Sequence, residues 1–392
     1  LPAGARMSEP RNLRASAAIV GVAESDELGR LPHKSALAMH MEAAQSALAD
    51  AGLRNSDVDA VFISGLIMAN EVPEYLGIRP RFIGGTLIGG CSFMAHVEHA
   101  MAAIHAGLCE VALITHGESG YSRVGMPATR WGDDSLNFQF ELPYGTMGPA
   151  TGYGLMARRH MHQFGTTSEQ LAEVAVATRK WAALNPMAMY REPLSIDDVL
   201  NSKVISWPFH LLDCCLVTDG GGAVVVTSAA RASDLPKKPV YVLGTGECVT
   251  HQMVSQMPSF DQWDAAIESG KRAFAMAGVR HADIDVAELY DAFTIVPMLA
   301  LEALGFCKKG ESGGFVAGQR TAPGGEFPMN TNGGGLSYTH TGMYGIYTII
   351  EAVRQLRGEC GERQVPDAKT AICHGTGGQW SAAATLIVST DK

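Results

Sequence analysis

Short apolar runs alternate with longer amphipathic segments along the first third of the chain. The run "AAIVGVAES", from Ala17, stays apolar until its polar end, which is typical of a buried strand. "SALAMHMEAAQSALADAGL", from Ser35, has apolar residues at helical spacing and stops at a glycine, so it predicts a helix with a glycine C-cap. A strand at "DVDAVFISG", a helix over Phe93–Ala106 and a strand at "EVALITHGES" follow. This alternation predicts an α/β fold with a mostly parallel sheet.

Part of the chain repeats itself. "ALADAGLRNSDVDAVFISG", from Ala47, and "AFAMAGVRHADIDVAELYD", from Ala273, align without a gap at an offset of 273 − 47 = 226. Chance similarity between two amphipathic helices explains shared alanines, but it explains the shared order of helix, glycine cap and strand less well. Each half also ends in a strand rich in small residues, "GGGAVVVTS" and "SAAATLIVST". The pattern predicts two structurally similar halves.

Residues 121–200 interrupt the alternation with strongly helical sequence set among glycines, aromatic residues and prolines. We interpret this segment as an inserted, mainly helical loop subdomain of the first half. The predicted organisation is a disordered start over 1–16, an N-terminal half over 17–235 and a C-terminal half over 236–392. Within the disordered start, we expect Met7 to be the natural first residue and the six residues before it to be an added remnant.

Composition narrows the class of protein. A chain of 392 residues is too long for one ordinary core, which agrees with two halves. A net charge of −10 argues against nucleic acid as a partner. Eight scattered cysteines without CxxC spacing do not resemble a disulfide scaffold, so we expect a cytoplasmic protein. No apolar run approaches the roughly 18 to 20 residues that span a bilayer, and we expect no membrane span.

Two candidate functional residues lie where a strand gives way to a helix or loop. Cys91 lies at a glycine-flanked junction before a helix, whose N-terminus is expected to lower the pKa of the thiol. A thiolate is what an acyl-accepting nucleophile requires. Tyr290, in "ELYDAFT", falls at a strand end, and its phenol can act as an acid or a base. A structural role, as a small residue in a tight turn or a buried hydroxyl, is the alternative at both positions.

Two further candidates lie near the C-terminus. His340 follows three consecutive glycines, which let the backbone approach a thioester while the imidazole polarises its carbonyl or moves a proton. Cys373 ends a strand in "AICHGTGGQWS", where a thiol suits proton transfer to or from carbon. An ordinary turn with a structural histidine is the alternative for the His340 segment. We expect the His340 imidazole, the Cys373 sulfur and the Tyr290 phenol to face one cleft. The predicted oxyanion-hole or substrate-loop glycines are Gly333, Gly334, Gly335, Gly375 and Gly377.

A metal site is not expected. Asp213, Cys214 and Cys215, in "LLDCCLVTDGGGA", have suitable side chains for a metal, but no second pair with matching histidine spacing appears. We therefore interpret this segment as structural.

In chain order, "GCSFMA", "YDAF", "GGGLSYTHTG" and "CHGTG" resemble the motifs of the thiolase superfamily, over nearly the whole chain. The resemblance implies two duplicated βαβ-type halves in a layered α/β/α/β/α sandwich with an inserted loop domain. It also implies an oxyanion-hole role for His340 and an acid/base role for Cys373. The chain departs from the family at three positions, one of which is Thr341, where a proline usually follows the histidine. The nucleophile position, counted back from "AIHAG", falls on Gly90 rather than Cys91, and Tyr290 stands where asparagine or histidine is usual.

Three longer segments, "RRHMHQFGTTSEQLAEVAVATRKWAALNP", "PFHLLDCCLVTDG" and "ALGFCKKGES", resemble the lipid-transfer-protein and sterol-carrier-protein branch of the superfamily. That branch includes retro-aldolases that shorten steroid side chains as CoA thioesters. In them a tyrosine in the motif matching "LYDAF" is catalytic and the nucleophilic cysteine is missing. They work with a small OB-fold, zinc-ribbon partner that helps to hold the CoA ester. The resemblance to the superfamily also implies a homodimer.

The sequence therefore predicts a thiolase-like acyl-CoA enzyme that makes or cleaves a carbon–carbon bond next to a CoA thioester. The main hypothesis is an acyl-CoA C-acyltransferase in which Cys91 accepts the acyl group. The first alternative is a retro-aldolase on a β-hydroxyacyl-CoA, in which Tyr290 deprotonates the β-hydroxyl and an OB-fold partner takes part. The second is a non-catalytic acyl-CoA-binding subunit. Coenzyme A is expected only as part of the substrate, with no tightly bound cofactor and no metal.

Overall fold

The centre of the fold is one sheet of nine strands, in a computed structural model that describes residues 13–65, 67–125, 135–146 and 148–392. A separate pair of short strands, β5 and β6, forms a second sheet. The strands are β1 (Ala17–Glu24), β2 (Ala60–Ile63), β3 (Phe82–Gly85), β4 (Val111–Ser119), β5 (Val204–Ser206), β6 (Phe209–His210), β7 (Asp219–Ser228), β8 (Val240–Val249), β9 (Val286–Leu289), β10 (Thr370–Gly377) and β11 (Ala382–Ser389).

Helices cover the sheet, and they make up most of the described chain between β4 and β5. The predicted helices that begin near Ser35 and at Phe93 are confirmed to within one or two residues. The α-helices are α1 (Ala36–Ala51), α2 (Glu71–Leu76), α3 (Ser92–His105), α4 (Leu136–Phe140), α5 (Pro149–Phe164), α6 (Ser168–Ala183), α7 (Ile196–Leu200), α8 (Ala229–Ala232), α9 (Asp264–Ala277), α10 (Ile295–Ala303), α11 (Ser312–Val316) and α12 (Gly345–Arg357).

The sheet is mixed, with the strand order β3-β2-β4-β7-β1-β8-β11-β10-β9. Three neighbouring pairs are parallel, β3–β2, β2–β4 and β10–β9, and the other five are antiparallel. The predicted mostly parallel sheet is therefore wrong. Alternation of strands and helices predicts parallel neighbours, whereas β7 and β11 enter the sheet antiparallel to the strands on both of their sides.

The predicted duplication is confirmed. Outward from the contact between β1 and β8, the order β8-β11-β10-β9 repeats β1-β7-β4-β2. Helices α1 and α9 both end at a glycine in the left-handed conformation, Gly52 (φ 70°) and Gly278 (φ 64°). Each is followed by a short 3₁₀ turn capped by an Arg–Asp pair and then by β2 or β9. The two glycines are 278 − 52 = 226 residues apart, which is the offset of the sequence repeat.

The helices form the predicted layers. Helix α1 packs on β1, β7 and β4, while α9 packs on β8 and β11, so each half has its own outer helix. Helices α3 and α12 contact each other and strands of both halves, and they form the central layer. Their N-termini lie close together, because Gly90, two residues before α3, packs directly on Gly345, the first residue of α12.

Parts of the predicted organisation lie outside the described residues, namely 1–12 of the disordered start and 126–134 and 147 of the inserted segment. The division into halves at 235/236 and the bounds of the insert stay predictions. In the described ranges, no helix is both long enough and apolar enough to cross a membrane.

Candidate active site

A cavity of about 580 Å³ opens where β4, β9 and β10 end and where α3 and α12 begin. Ligands commonly bind at the carboxyl ends of strands in α/β sheets, and this volume is that of an ordinary small-molecule site. Most of the lining surface is apolar. Among the described residues, the titratable side chains that line it are Glu118, Tyr153, Cys214, Cys215, His251, Tyr290 and His340.

Tyr290 and His340 form a hydrogen-bonded pair on the cavity wall. The Tyr290 Oη atom lies 2.9 Å from Nε2 of His340, and the two rings meet edge to face. The other ring nitrogen, Nδ1, accepts a hydrogen bond from the Gly342 N–H at 3.4 Å. A neutral imidazole that accepts at Nδ1 carries its proton on Nε2, so His340 donates to the Tyr290 oxygen.

The Tyr290 oxygen also lies at the N-terminus of α12. The backbone N–H of Tyr344, which caps that helix, donates to Tyr290 Oη at 3.0 Å. Two donors and the positive end of a helix dipole therefore meet at one phenol oxygen. These contacts can stabilise negative charge that develops on the oxygen when it acts as a base.

The nucleophile position of the thiolase motif is filled by the Tyr290 ring. A Cβ atom built on Gly90 would lie 2.1 Å from Cε2 of Tyr290, so no side chain fits at position 90. Gly90 itself lines the cavity. The tyrosine ring thus stands where the family's cysteine would be.

Cys91 does not have the environment expected of a nucleophile. It is fully buried and is absent from the cavity wall, its Sγ lies 3.3 Å from the Ile88 carbonyl oxygen, and its N–H donates to Thr376 of β10. Burial raises the pKa of the Cys91 thiol. The expectation of a lowered pKa is wrong here, because loss of hydration outweighs the helix dipole.

Cys373 also lies away from the cavity. It is fully buried in β10, and its Sγ faces the Thr348 carbonyl oxygen of α12 at 3.5 Å. Burial and the nearby carboxyl of Glu288 raise the pKa of the Cys373 thiol well above its ordinary value. The expectation that this sulfur faces the same cleft as Tyr290 and His340 is therefore corrected.

Two of the three consecutive glycines, Gly334 and Gly335, lie against the Asp291 carboxylate. Gly335 donates its N–H to Asp291 Oδ1 at 2.6 Å, and the N–H groups of Gly333 and Gly334 are used by Asn330 and Asn332. These N–H groups are already hydrogen-bonded within the protein, so the predicted oxyanion-hole role is not supported. The glycines are needed for space, because a Cβ on Gly334 would lie 2.0 Å from Asp291 Oδ2.

Gly375 and Gly377 lie in the β10 ladder opposite Ala384 and Ala382 of β11. A Cβ on Gly375 would lie 2.6 Å from Cys91 Cα, and one on Gly377 would lie 1.7 Å from the Ile88 carbonyl oxygen. Both glycines therefore let β10 approach the start of α3, and neither lines the cavity, unlike Gly378.

Five of the seven titratable residues on the described cavity wall were missed as site candidates, namely Glu118, Tyr153, Cys214, Cys215 and His251. Glu118, the penultimate residue of β4, is 2% exposed and lines the cavity beside Gly342. Its position at the end of a strand, "THGES", was the available signal. Cys215, interpreted as structural, also lines the cavity. Asp213 is structural, since it accepts hydrogen bonds from Thr294 and the His210 N–H.

In the part of the chain that the structure describes, no group of three or more His, Cys, Asp or Glu side chains is arranged to hold a metal ion. All eight cysteines are unpaired.

Comparisons with known proteins agree with this geometry. A family model described as "Thiolase C-terminal domain-like" matches residues 246–390. The 17-hydroxy-3-oxo-4-pregnene-20-carboxyl-CoA lyase of Mycobacterium tuberculosis is 38% identical over 360 residues, which cover 88% of this chain and 92% of the relative. An acetyl-CoA acetyltransferase of Methanothermobacter thermautotrophicus is 32% identical over 387 residues, covering 95% and 99% of the two chains.

Among solved structures, the "Ltp2-ChsH2(DUF35) aldolase" matches with a TM-score of 0.89 and 33% identity, covering 97% of this chain and 99% of that one. The shared fold and the extent of these matches identify the family. The chain therefore belongs to the thiolase superfamily, in its lipid-transfer-protein and sterol-carrier-protein branch, and is a thiolase-like enzyme.

Proposed function

We propose that the protein is a retro-aldolase that cleaves the bond between the α- and β-carbons of a β-hydroxyacyl-CoA. The observation that carries this proposal is the position of the Tyr290 oxygen, which lies between the His340 imidazole and the Tyr344 N–H at 2.9 and 3.0 Å. That arrangement aims two hydrogen-bond donors at an oxygen on the cavity wall and so stabilises the negative charge that a base carries there. The proposal keeps the expected chemistry at a carbon–carbon bond next to a CoA thioester. It takes up the first alternative, retro-aldol cleavage, in place of acyl transfer.

The proposed step needs only a base and an electron-accepting thioester. The Tyr290 phenolate takes the proton of the β-hydroxyl group, and the oxygen electron pair becomes the new carbonyl bond. The bond between the α- and β-carbons breaks, and its electron pair passes to the α-carbon to form the enolate of the CoA thioester. One proton then returns to the α-carbon, so the products are a ketone or aldehyde and a shortened acyl-CoA. His340 stabilises the phenolate before the step.

The geometry favours cleavage over acyl transfer to a thiol. Gly90 has no room for a nucleophilic side chain, and the adjacent Cys91 thiol is buried with its pKa raised by burial. An acyl group attached to Cys91 would have to occupy space already filled by β10, since Gly375 and Gly377 pack directly on that residue.

A comparison of two variants tests the proposal. Purified enzyme is given a β-hydroxyacyl-CoA with a bulky β-substituent, and release of the carbonyl product is followed by mass spectrometry. Tyr290→Phe is expected to lower kcat about 10²- to 10⁴-fold, the usual contribution of a general base. Cys91→Ser is expected to remain within a few-fold of the unsubstituted protein. Tyr347→Phe, which removes the hydroxyl of a buried tyrosine outside the cavity wall, is the matched control.

Two outcomes contradict the proposal. The first is cleavage that survives in Tyr290→Phe. The second is a stable acyl adduct in the intact mass of the unsubstituted protein that is lost in Cys91→Ser, since this would support the acyltransferase hypothesis.

We also propose that a partner covers the mouth of the cavity. Three of the lining residues are apolar and largely exposed, Leu87, Ile205 and Val249 at 60%, 44% and 59%. Exposed apolar side chains around one opening are typical of a surface that binds another molecule. The related solved structure, "Ltp2-ChsH2(DUF35) aldolase", supports a partner subunit. The family resemblance implies that this partner is a small OB-fold, zinc-ribbon protein. The family resemblance also implies a homodimer, and the cysteine pattern favours a cytoplasmic location. Sedimentation of the chain with and without the partner tests both assemblies.

A further inference from the structure

The α-carbon of the proposed product needs a proton that the Tyr290–His340 pair is poorly placed to supply. The enolate left by cleavage carries its electron pair on carbon, and a group on the cavity wall has to protonate it. Cys373, the expected acid, faces the Thr348 carbonyl instead of the cavity. His340 has one ring nitrogen against Tyr290 and the other against the Gly342 N–H. This inference rests on the proposed function and concerns the second half of that reaction.

The remaining titratable groups on the described cavity wall differ in how well they can donate a proton to the α-carbon. The Tyr153 hydroxyl is held by Thr376 and the Gly378 carbonyl, and burial raises its pKa. Burial likewise raises the pKa of the Cys214 and Cys215 thiols. His251 is held through both ring nitrogens, by Thr250 and by the Gln379 carbonyl. A carboxyl group, by contrast, is a stronger acid than a phenol or a thiol and exchanges its proton readily with water.

Glu118 places such a carboxyl beside the reacting pair. It is the only carboxylic acid side chain on the described part of the cavity wall, and it is 2% exposed. A Cβ on Gly342 would lie 2.5 Å from each of the three carboxyl atoms, so the carboxyl lies flat against the backbone at that residue. The N–H of Gly342 also donates to the His340 imidazole. Gly342 therefore lies between the Glu118 carboxyl and the hydrogen-bonded pair of Tyr290 and His340. Gly342, at φ 106°, has the backbone conformation and the open space that this contact requires.

We propose that Glu118 is a catalytic residue that protonates the α-carbon of the enolate, while the Tyr290 oxygen takes the hydroxyl proton. In the cleavage direction the Glu118 O–H proton passes to the α-carbon, the enolate electron pair forms the new C–H bond, and a carboxylate remains. Water then restores the proton of Glu118, while Tyr290 releases its newly gained proton to water. In reverse, the carboxylate removes an α-proton from the acyl-CoA. Two separate groups thus serve the two ends of the broken bond.

The reverse half-reaction tests this proposal without carbon–carbon cleavage. The full-length protein is incubated with propionyl-CoA in D₂O, and deuterium incorporated at the α-carbon is measured by mass spectrometry. The unsubstituted protein is expected to catalyse exchange, and Glu118→Gln is expected to lower the exchange rate at least 100-fold. Tyr290→Phe is expected to lose far more of its cleavage rate than of its exchange rate. Glu110→Gln, an exposed substitution of the same kind next to the other end of β4, is the matched control and should change neither rate.

The possible outcomes separate the two proposals. Exchange in Glu118→Gln within threefold of the unsubstituted rate, or no exchange in the unsubstituted protein, overturns the role of Glu118. Cleavage that survives in Tyr290→Phe overturns the proposed function itself, whatever Glu118 does. If circular dichroism shows that Glu118→Gln does not fold, Glu118→Asp replaces it. That variant keeps the carboxyl one methylene further back and should lose about tenfold in exchange, and an unchanged rate in a folded Glu118→Asp contradicts the proposal.

Discussion

The ring of Tyr290 fills the space that a side chain on Gly90 would need. A Cβ atom on Gly90 would lie 2.1 Å from Cε2 of the Tyr290 ring and 2.9 Å from its Cζ. A nucleophilic cysteine at position 90 and a tyrosine at position 290 therefore exclude each other. These two departures from the family motifs thus have one structural cause. The tyrosine that replaces asparagine or histidine in one motif leaves no room for the cysteine of the other.

The exclusion predicts that restoring the cysteine alone fails. Gly90→Cys is expected to lower the free energy of unfolding by about 1 to 3 kcal/mol, the usual cost of overpacking a core. It should form no acyl adduct, because the Tyr290 ring blocks the new thiol. Urea unfolding followed by fluorescence measures the first effect, and intact mass after incubation with an acyl-CoA measures the second.

The double variant Gly90→Cys, Tyr290→Asn is the control for this prediction. Removal of the ring should recover most of the lost stability and expose the introduced thiol to the cavity. A single Gly90→Cys variant that is as stable as the unsubstituted protein would show that the ring moves aside readily and would contradict the argument.

Cys91 is predicted to be chemically inert in the folded protein. Burial raises the pKa of its thiol, and because the thiolate is the reactive form, alkylation at pH 7.5 is slow. Iodoacetamide labelling followed by peptide mass mapping should modify Cys248 and Cys307, which are half-buried, long before Cys91. Rapid native-state labelling of Cys91 would indicate an accessible thiolate and would revive the acyltransferase hypothesis.

The sequence was informative about local structure because helix ends and buried strands have local signals. The glycine caps at Gly52 and Gly278 were readable, and so was the repeat that connects them. The same patterns do not encode strand direction, and therefore the antiparallel entry of β7 and β11 was missed. Direction depends on which strands become neighbours, which is a property of the whole chain.

The candidate site was predictable only in part for a similar reason. Tyr290 and His340 are brought together as expected, since both precede or follow strongly patterned elements. Burial decided against Cys91 and Cys373, and no motif reports how many atoms will cover a thiol. Glu118 was missed because a single carboxylate after a strand has no spacing that distinguishes it from a surface residue.

Asp291 is predicted to make stability depend on pH in an unusual direction. Burial raises the pKa of its carboxyl to about 7, despite hydrogen bonds from the Gly335 and Leu336 N–H groups. Because the folded-state pKa lies above the ordinary value of 3.8, the native state binds the proton more tightly. The resulting stability is fully present below about pH 4 and is lost as the pH rises to about 7.

The variant Asp291→Asn removes this titration. Between pH 5 and pH 8, the difference in free energy of unfolding between the variant and the unsubstituted protein should move in favour of the variant by roughly 2 to 3 kcal/mol. Urea unfolding at the two pH values measures it. A difference that stays constant across this range would mean that the carboxyl keeps its ordinary pKa when folded.

Arg354 is predicted to hold the two halves together through a buried carboxylate. The guanidinium of Arg354, on α12, donates to both carboxyl oxygens of Glu24, on β1, at 2.7 and 2.5 Å, and the Tyr338 hydroxyl donates to the same group at 2.7 Å. Burial alone would raise the pKa of Glu24, but the charge and hydrogen bonds of Arg354 hold it below its ordinary value. This contribution to stability is therefore present above about pH 4.5 and is lost as the pH falls.

The substitution Arg354→Met leaves a buried carboxylate without its cation and should cost about 3 to 5 kcal/mol of unfolding free energy at pH 7.5. Thermal unfolding across pH 5 to 8 measures this loss, which should shrink toward low pH as Glu24 takes up a proton. Glu24→Gln combined with Arg354→Met should recover much of the stability, because no buried charge then remains. Arg280→Met, which breaks an exposed pair with Asp283, is the matched control and should cost less than about 1 kcal/mol. A cost for Arg354→Met no larger than that of the control would mean that the ion pair is not what joins β1 to the helix whose N-terminus holds the Tyr290 oxygen.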